Sequence, residues 1–245
     1  MKAALRWVLM VALLTAGTAA KAAEPTDLLL VLAADVSRSI DYQKFQLQRD
    51  GYAAAFADPR VLEAIRSGPY GRIAVAFVEW AGFGMQKTVV EWTSISDSET
   101  AQIFGDHVRA APRSFADRTS ISGGIDFAVS QFDSAPYSGP RHIIDVSGDG
   151  TNNAGREVGL ARDEAVAKGI TINGLVILSE RPMPWNPEHT NPPGGLERYY
   201  RENVTGGPGA FVMVAQDFKS FGQALINKLV AEIAHGPKPG RTASR

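Results

Sequence analysis

Three short segments of the 245-residue chain carry oxygen-bearing side chains at spacings that suit a cation. The first is Asp35-Val36-Ser37-Arg38-Ser39, a D-x-S-x-S run that follows the apolar stretch Leu28–Ala34. A turn there can aim one carboxylate and two hydroxyls at a common point. The second is Asp117-Arg118-Thr119-Ser120, which opens a helical pattern, a place where hydroxyls and carboxylates gather. The third is Ser147-Gly148-Asp149-Gly150, again after an apolar stretch, with glycines that let the backbone turn tightly. Asp35 and Asp149 bring negative charge, whereas Ser37, Ser39 and Thr119 are neutral. Oxygen-only donors of this kind suit a hard cation, Mg²⁺, with Mn²⁺ and Ca²⁺ as alternatives. A dication so held is only just balanced and stays electrophilic, with a position open for a carboxylate from a partner. The chain has no cysteine, and His107, His142, His189 and His235 show no ligand spacing, which disfavours zinc. All four histidines read as ordinary surface or core residues.

These segments need a scaffold that brings strand ends together. Leu28–Ala34, Arg72–Ala81, Arg141–Ser147 and Ile170–Leu178 are near-continuous apolar runs, the pattern of strands buried on both faces. Met85–Thr93 follows Arg72–Ala81 after a short turn at Gly82–Gly84, which predicts an antiparallel edge pair. Helical patterns cover Ile40–Asp58, Pro59–Ser67, Ser98–Ala110, Thr119–Asp133, Asn153–Lys168, Leu196–Glu202 and Gln216–Ala234. The last carries Phe218, Phe221, Leu225, Leu229 and Ile233 along one face. Ala210–Ala215 is a further strand. The alternation predicts one doubly wound α/β domain: a mostly parallel sheet with one antiparallel edge strand and helices on both faces. Ligands in such sheets bind outside the carboxyl ends of the strands, near the switch in strand order, which is where the three segments fall.

The set Asp35, Ser37, Ser39, then Thr119 at a helix start, then Asp149-Gly150 at a later strand end, resembles the von Willebrand factor A (vWA) domain with a metal-ion-dependent adhesion site (MIDAS). The resemblance covers about residues 26–235. The first segment alone is weakly specific, whereas all three in order at strand ends are strongly so. It implies a Rossmann-like vWA fold and a metal held by Asp35, Ser37, Ser39, Thr119 and Asp149, completed by an acidic residue of a protein partner. Thr119 also reads simply as a helix cap. The stretches IDVSGDGTNN, Tyr199-Tyr200-Arg201 and GGPGAF are similar to those of a group of bacterial secreted vWA-like proteins of unknown function.

Two carboxylates fall inside apolar strands, Glu79 in Phe77-Val78-Glu79-Trp80 and Asp145 in Ile143-Ile144-Asp145-Val146. A buried carboxylate must be paired or protonated. Arg72, Arg118, Arg141 and His142 are the candidate partners for a structural pair. Alternatively Glu79 or Asp145 faces the metal as a second-sphere group, or serves as general base in a metal-assisted hydrolase. The loop Arg181–Gly195 holds five prolines and Trp185 and follows a strand. It reads either as part of a recognition surface or as a stiff cover over the sheet edge. Arg38 and Trp185 are the candidate partner contacts.

Composition narrows the function classes. Lys plus Arg is 25 and Asp plus Glu is 26, a balance without the electrostatic footprint of a nucleic-acid binder. There is no G-x-S-x-G, no G-x-x-x-x-G-K-[ST] and no G-x-G-x-x-G at the first strand–helix turn, so hydrolase-elbow and nucleotide sites are disfavoured and no enzyme class is assigned. Met1–Ala22 reads as a signal peptide: Lys2 and Arg6, the apolar run Trp7–Leu14, then Ala20-Lys21-Ala22. Residues 23–235 form the domain, and 236–245 a basic Pro/Gly tail. No later segment is apolar enough to span a bilayer. The expected location is a periplasm or the cell exterior, and the alternative to a binding module or hydrolase is a structural envelope protein with a degenerate site.

Overall fold

The computed structural model describes residues 22–178 and 186–234. Its strands are β1 (Glu24–Pro25), β2 (Leu29–Asp35), β3 (Ile73–Trp80), β4 (Gln86–Ile95), β5 (Tyr137–Ser138), β6 (His142–Gly148), β7 (Ile170–Ile177) and β8 (Val212–Ala215). Its helices are α1 (Tyr42–Ala57), α2 (Pro59–Arg66), α3 (Ser98–Ala110), α4 (Ile121–Asp133), α5 (Val158–Ala167), α6 (Pro187–Thr190), α7 (Leu196–Tyr199) and α8 (Phe221–Ala234). A π-helical turn, Tyr200–Val204, continues α7.

Six strands form one sheet in the order β4-β3-β2-β6-β7-β8, antiparallel only between β3 and β4. The short β1 and β5 pair separately and in parallel. Every residue of β2 and β3 is buried, as continuous apolar runs in a two-sided sheet require. Alternation divides the core. Leu30, Leu32 and Ala34 of β2 face a layer built with α1, α2, α3 and α8, while Val31 and Ala33 face α4, α5 and the π-helical turn.

The chain runs outward from β2 to β3 and then returns to lay β6 on the other side of β2. The carboxyl ends of β2 and β6 therefore flank the switch in strand order, and their pairing runs to Ala34 opposite Ser147. Asp35 ends β2, and Asp149 follows β6 directly. The topology alone brings the first and third sequence segments side by side.

Two helices start five residues later than the 3.6-residue pattern predicts. α5 begins at Val158 rather than Asn153, because Asn152 and Asn153 use their side-chain oxygens on the backbone N–H groups of Ser122 (3.1 Å) and Thr119 (2.9 Å). α8 begins at Phe221 rather than Gln216, because Asp217 accepts from the Ser220 N–H at 2.7 Å in a capping turn. Within the described part of the proline-rich loop, Pro187–Thr190 forms a helical turn. Residues 1–21, where a signal peptide is expected, Trp185 and residues 235–245 lie outside the described residues. No described helix is long and apolar enough to cross a membrane.

Candidate metal centre at two strand ends

The first segment is held rigidly. Asp35 is fully buried, and its Oδ1 accepts the Ser37 N–H at 2.7 Å. The Ser37 and Ser39 hydroxyls lie 3.0 Å apart, and Ser39 Oγ donates to Asp149 Oδ1 at 2.5 Å. Hydrogen bonds thus link Asp35, Ser37, Ser39 and Asp149 in series across the β2–β6 gap. Thr119, also buried, lines one pocket of about 110 Å³ with Ser39, Arg38, Arg118, Asn153 and His189. Asp117 O accepts the Arg38 N–H at 2.7 Å and so clasps the second segment to the first. All five residues of the sequence-derived ligand set are therefore gathered at one edge of the sheet, with Arg38 beside them and exposed.

The electrostatics are unbalanced. Asp35 Oδ2 and Asp149 Oδ2 are buried and accept no hydrogen bond from the described residues. Burial first, and then the Asp149 carboxylate, pushes the Asp35 carboxyl up to about 8, against the stabilising Ser37 N–H. Burial also raises Asp149, against the pull of the Ser39 hydroxyl and Lys44. The nearest ammonium, Lys44 Nζ, stands 3.6 Å from Asp149 Oδ2 and donates instead to Ser39 O at 3.0 Å. Two buried acids surrounded mainly by neutral hydroxyls fit a hard cation by donor chemistry and by charge. Among the described residues, no cluster of three His, Cys, Asp or Glu side chains could hold a metal, so any cation here depends on the hydroxyls as well as the carboxylates.

Three residues join the site that the sequence reading passed over. His189, read as an ordinary histidine, is buried with Nε2 3.2 Å from Thr119 Oγ1 and Nδ1 3.3 Å from Thr151 Oγ1. Burial lowers its pKa, with Asp149 opposing. The Gly150 position needs glycine, since a Cβ there would fall 2.2 Å from the His189 ring. Tyr200, on the π-helical turn, is buried with an unpartnered hydroxyl. A Cβ on Gly148 would lie 2.5 Å from Tyr200 Oη and 3.1 Å from Asp35 Oδ2, so both free oxygens face the same spot. Lys44 is the third. It sits one turn into α1, and proximity to the first segment was its only sequence signal.

The two strand-interior acids lie elsewhere, and their partners differ from those anticipated. Glu79 pairs with Arg49, whose guanidinium lies between the Phe45 and Phe77 rings at 4.9 Å from each. Its second oxygen accepts the Ser114 N–H at 2.8 Å. The adjoining Arg113 donates to the carbonyls of Val36 (2.6 Å) and Ser37 (2.7 Å), so Glu79 supports the first segment from behind. Asp145 meets Lys228 Nζ at 2.7 Å, and the same ammonium pairs with Glu232. Arg72, Arg118, Arg141 and His142 are not these partners. The correct ones stand on α1 and α8, which pack on the face toward which Glu79 and Asp145 point.

A family model described as "Protein of unknown function (DUF1194)" matches residues 25–237. No curated protein matches by sequence. Among solved structures, proximal thread matrix protein 1 from the mussel byssus superposes with a TM-score of 0.59 at 17% identity, covering 88% of this chain and 49% of that one. Another structure of that mussel protein has a zinc-occupied MIDAS motif. The pilus adhesin SpaC from Lactobacillus rhamnosus GG gives 0.57 at 12% identity over 85% of this chain and 31% of that one. A von Willebrand factor type A structure from Catenulispora acidiphila gives 0.52 at 16% identity over 85% and 42%. The chain thus spans about half or less of the length of these three, and the likeness is one of fold. That fold is the Rossmann-like vWA fold.

Proposed function

This chain belongs to the DUF1194 family, and on that footing we propose that it is a divalent-metal-dependent protein-binding module. The observation that carries the reading is the pair Asp35 and Asp149: buried, on adjacent strand ends, sharing a chain of serine hydroxyls, each with one oxygen that accepts no hydrogen bond. Asp35, Ser37, Ser39, Thr119 and Asp149 would hold the ion. Bound there, a dication supplies a Lewis-acidic position for an Asp or Glu of a protein partner. The Ser37 N–H and the Ser39 hydroxyl align the two acids, and Glu79 and Arg113 keep the serine loop in place. Mg²⁺ is the proposed ion, with Mn²⁺ or Ca²⁺ as alternatives. The likeness to an adhesin and the leader-like first residues support a periplasmic or secreted setting.

The hydrolase alternative asks Glu79 or Asp145 to act as general base. Both oxygens of Glu79 are engaged, and Asp145 points into the α8 layer, so neither offers a free base at the pocket. Binding without turnover is therefore the favoured reading.

The test is calorimetric titration of the protein with Mg²⁺, Mn²⁺, Ca²⁺ and Zn²⁺. Zn²⁺ is included because zinc occupies a MIDAS motif in the mussel byssus protein. One ion should bind with one-to-one stoichiometry, and Asp35→Ala should abolish it while circular dichroism stays native. Absence of binding by all four ions, or full binding by Asp35→Ala, would remove the reading.

A further inference from the structure

The rim of the pocket has its own charge pattern. Exposed arginines elsewhere are paired with acids, among them Arg60 with Asp58, Arg109 with Asp50, Arg198 with Glu202 and Arg201 with Glu197. Arg38 and Arg118 are exposed, make no ion pair among the described residues, and line the same pocket above Ser39 and Thr119. Arg66 on α2 is the other exposed arginine in that condition. Two unpaired guanidinium groups at one pocket, on a chain with slightly more acid than base, are a local departure from the rest of the surface. The Arg38 N–H to Asp117 O bond holds the two loops together, so they are joined before any partner arrives.

Next to them stands Phe83, 76% exposed, on the β3–β4 turn. Gly84 there has φ +72°, a conformation natural to glycine, which lets the turn close tightly and leave the ring in solvent. Phe83 and Arg118 line an adjoining shallow hollow. An exposed aromatic beside unpaired arginines has the composition of a binding hot spot. Among the described residues lining the pocket, the competing acid is Asp117, whose Oδ1 is turned back onto the Arg118 N–H at 2.7 Å.

We infer that this edge recognises an acidic stretch of a protein partner rather than a lone carboxylate. One Asp or Glu enters the pocket, flanking acids pair with Arg38 and Arg118, and an apolar side chain packs on Phe83. The inference rests on the metal-site reading for its central contact only. With a dication offsetting Asp35 and Asp149, the rim arginines and Lys44 outweigh Asp117, and the edge attracts anions. Guanidinium forks match carboxylates in pairs of parallel hydrogen bonds, which gives the flanking contacts direction as well as charge.

The test uses two labelled, end-blocked Gly/Ser peptides and fluorescence anisotropy in Mg²⁺. One peptide carries a single central Asp, and the other adds a Glu on each side and a nearby Leu. Wild type should prefer the second, and the preference should shrink as salt is raised. The double variant Arg38→Gln/Arg118→Gln should bind the second peptide about tenfold more weakly, with the metal titration unchanged. Phe83→Ser should lower affinity further without altering the salt dependence. Equal binding of the second peptide by wild type and the double variant would overturn the inference. So would wild type that takes up metal yet ignores both peptides, and in that case the metal reading stands alone. Arginine-dependent binding of the second peptide that persists in EDTA would keep the acidic-partner surface and remove the metal from it.

Discussion

Asp145 and Asp149 stand four residues apart, one within β6 and the other just past its end, both buried, and they are treated in opposite ways. Asp145 is met by Lys228 at 2.7 Å, and that ammonium also serves Glu232, which accepts from Asn173 at 2.7 Å. Asp149 meets a serine hydroxyl at 2.5 Å and an ammonium only at 3.6 Å. Its neighbour Asp35 meets no cation within ion-pair distance among the described residues. Where the fold brings its own counter-charge, the acid is part of the architecture. Where it brings hydroxyls and a second acid, the proposed ion would supply the missing charge. The contrast is testable because the two kinds of acid should respond oppositely to neutralisation.

The largest effect belongs to the self-compensated group. Lys228→Met removes the cation that Asp145 and Glu232 share, and should cost about 3–5 kcal/mol in urea denaturation. A loss below about 1 kcal/mol would show that the acids accept protons readily and that the triad is not structural. The pH response sharpens this. Burial, with Glu232 adding and Lys228 opposing, pushes the Asp145 carboxyl up to about 7. A raised acid contributes stability that is present in full below its unfolded value and is lost as pH rises through the folded one. Wild type should therefore lose stability relative to Asp145→Asn between about pH 4 and pH 7. The groups bearing on Asp145 are Lys228 and Glu232 of α8 and Tyr52 of α1, so Tyr52→Phe serves as the control for that layer.

The next effect belongs to the uncompensated pair. A cation at about 100 times its dissociation constant should add about 2.7 kcal/mol to the stability of wild type. Asp149→Asn should abolish that gain and leave the metal-free protein as stable as before or more so, because a buried like-charge pair is relieved. Metal-free Asp149→Asn unfolding as readily as Lys228→Met would erase the distinction between the two aspartates.

A smaller effect is expected at Tyr200. Its hydroxyl makes no hydrogen bond and faces the same spot as Asp35 Oδ2. Burial, followed by Asp35 and Asp149, holds its pKa well above the usual phenol value, so it stays protonated as a donor. Tyr200→Phe should be near neutral for the metal-free fold, since it deletes an unpartnered group. It should weaken metal binding by about tenfold, as outer-sphere donors that orient a ligand do. Unchanged metal affinity in Tyr200→Phe would return this tyrosine to the core.

Sequence carried the sheet and the oxygen donors because both depend on local pattern. Continuous apolar runs mark buried strands, and Asp35 and Asp149 sit where those runs stop. What it could not supply were partners chosen by packing. Lys228 lies three residues beyond Leu225, on the buried side of α8, with Glu232 at i+4. That signal was present, but which strand acid it meets depends on the layer in which α8 docks. Arg49 is similarly placed on α1. Tyr200 reaches the site through a π-helical turn, which has no simple period, and His189 through a helical turn inside a proline-rich loop. Asn153 falls inside the helical pattern although its side-chain bond, like that of Asn152, runs to the start of α4, more than 25 residues earlier in the chain.

The finest test concerns Lys44, the cation that stands within 4 Å of the uncompensated pair among the described residues. Its side chain is 28% exposed, and its ammonium lies 5.2 Å from the centroid of the Phe218 ring and is held by Ser39 O rather than by Asp149. At 3.6 Å from Asp149 Oδ2 it offsets part of that charge without filling the place of a ligand. It should therefore repel an incoming dication modestly, and Lys44→Met, which keeps the stem over Phe218, should tighten metal binding by about two- to fivefold at low ionic strength. Lys44→Arg should leave the affinity near wild type. Added salt should narrow the gap between Met and Lys, because a partly exposed charge is screened. Calorimetry on the three proteins decides it. Weaker binding by Lys44→Met would mean that the bond to Ser39 O, and not the charge, is what Lys44 contributes, and that Asp149 is less open to an outside cation than its contrast with Asp145 implies.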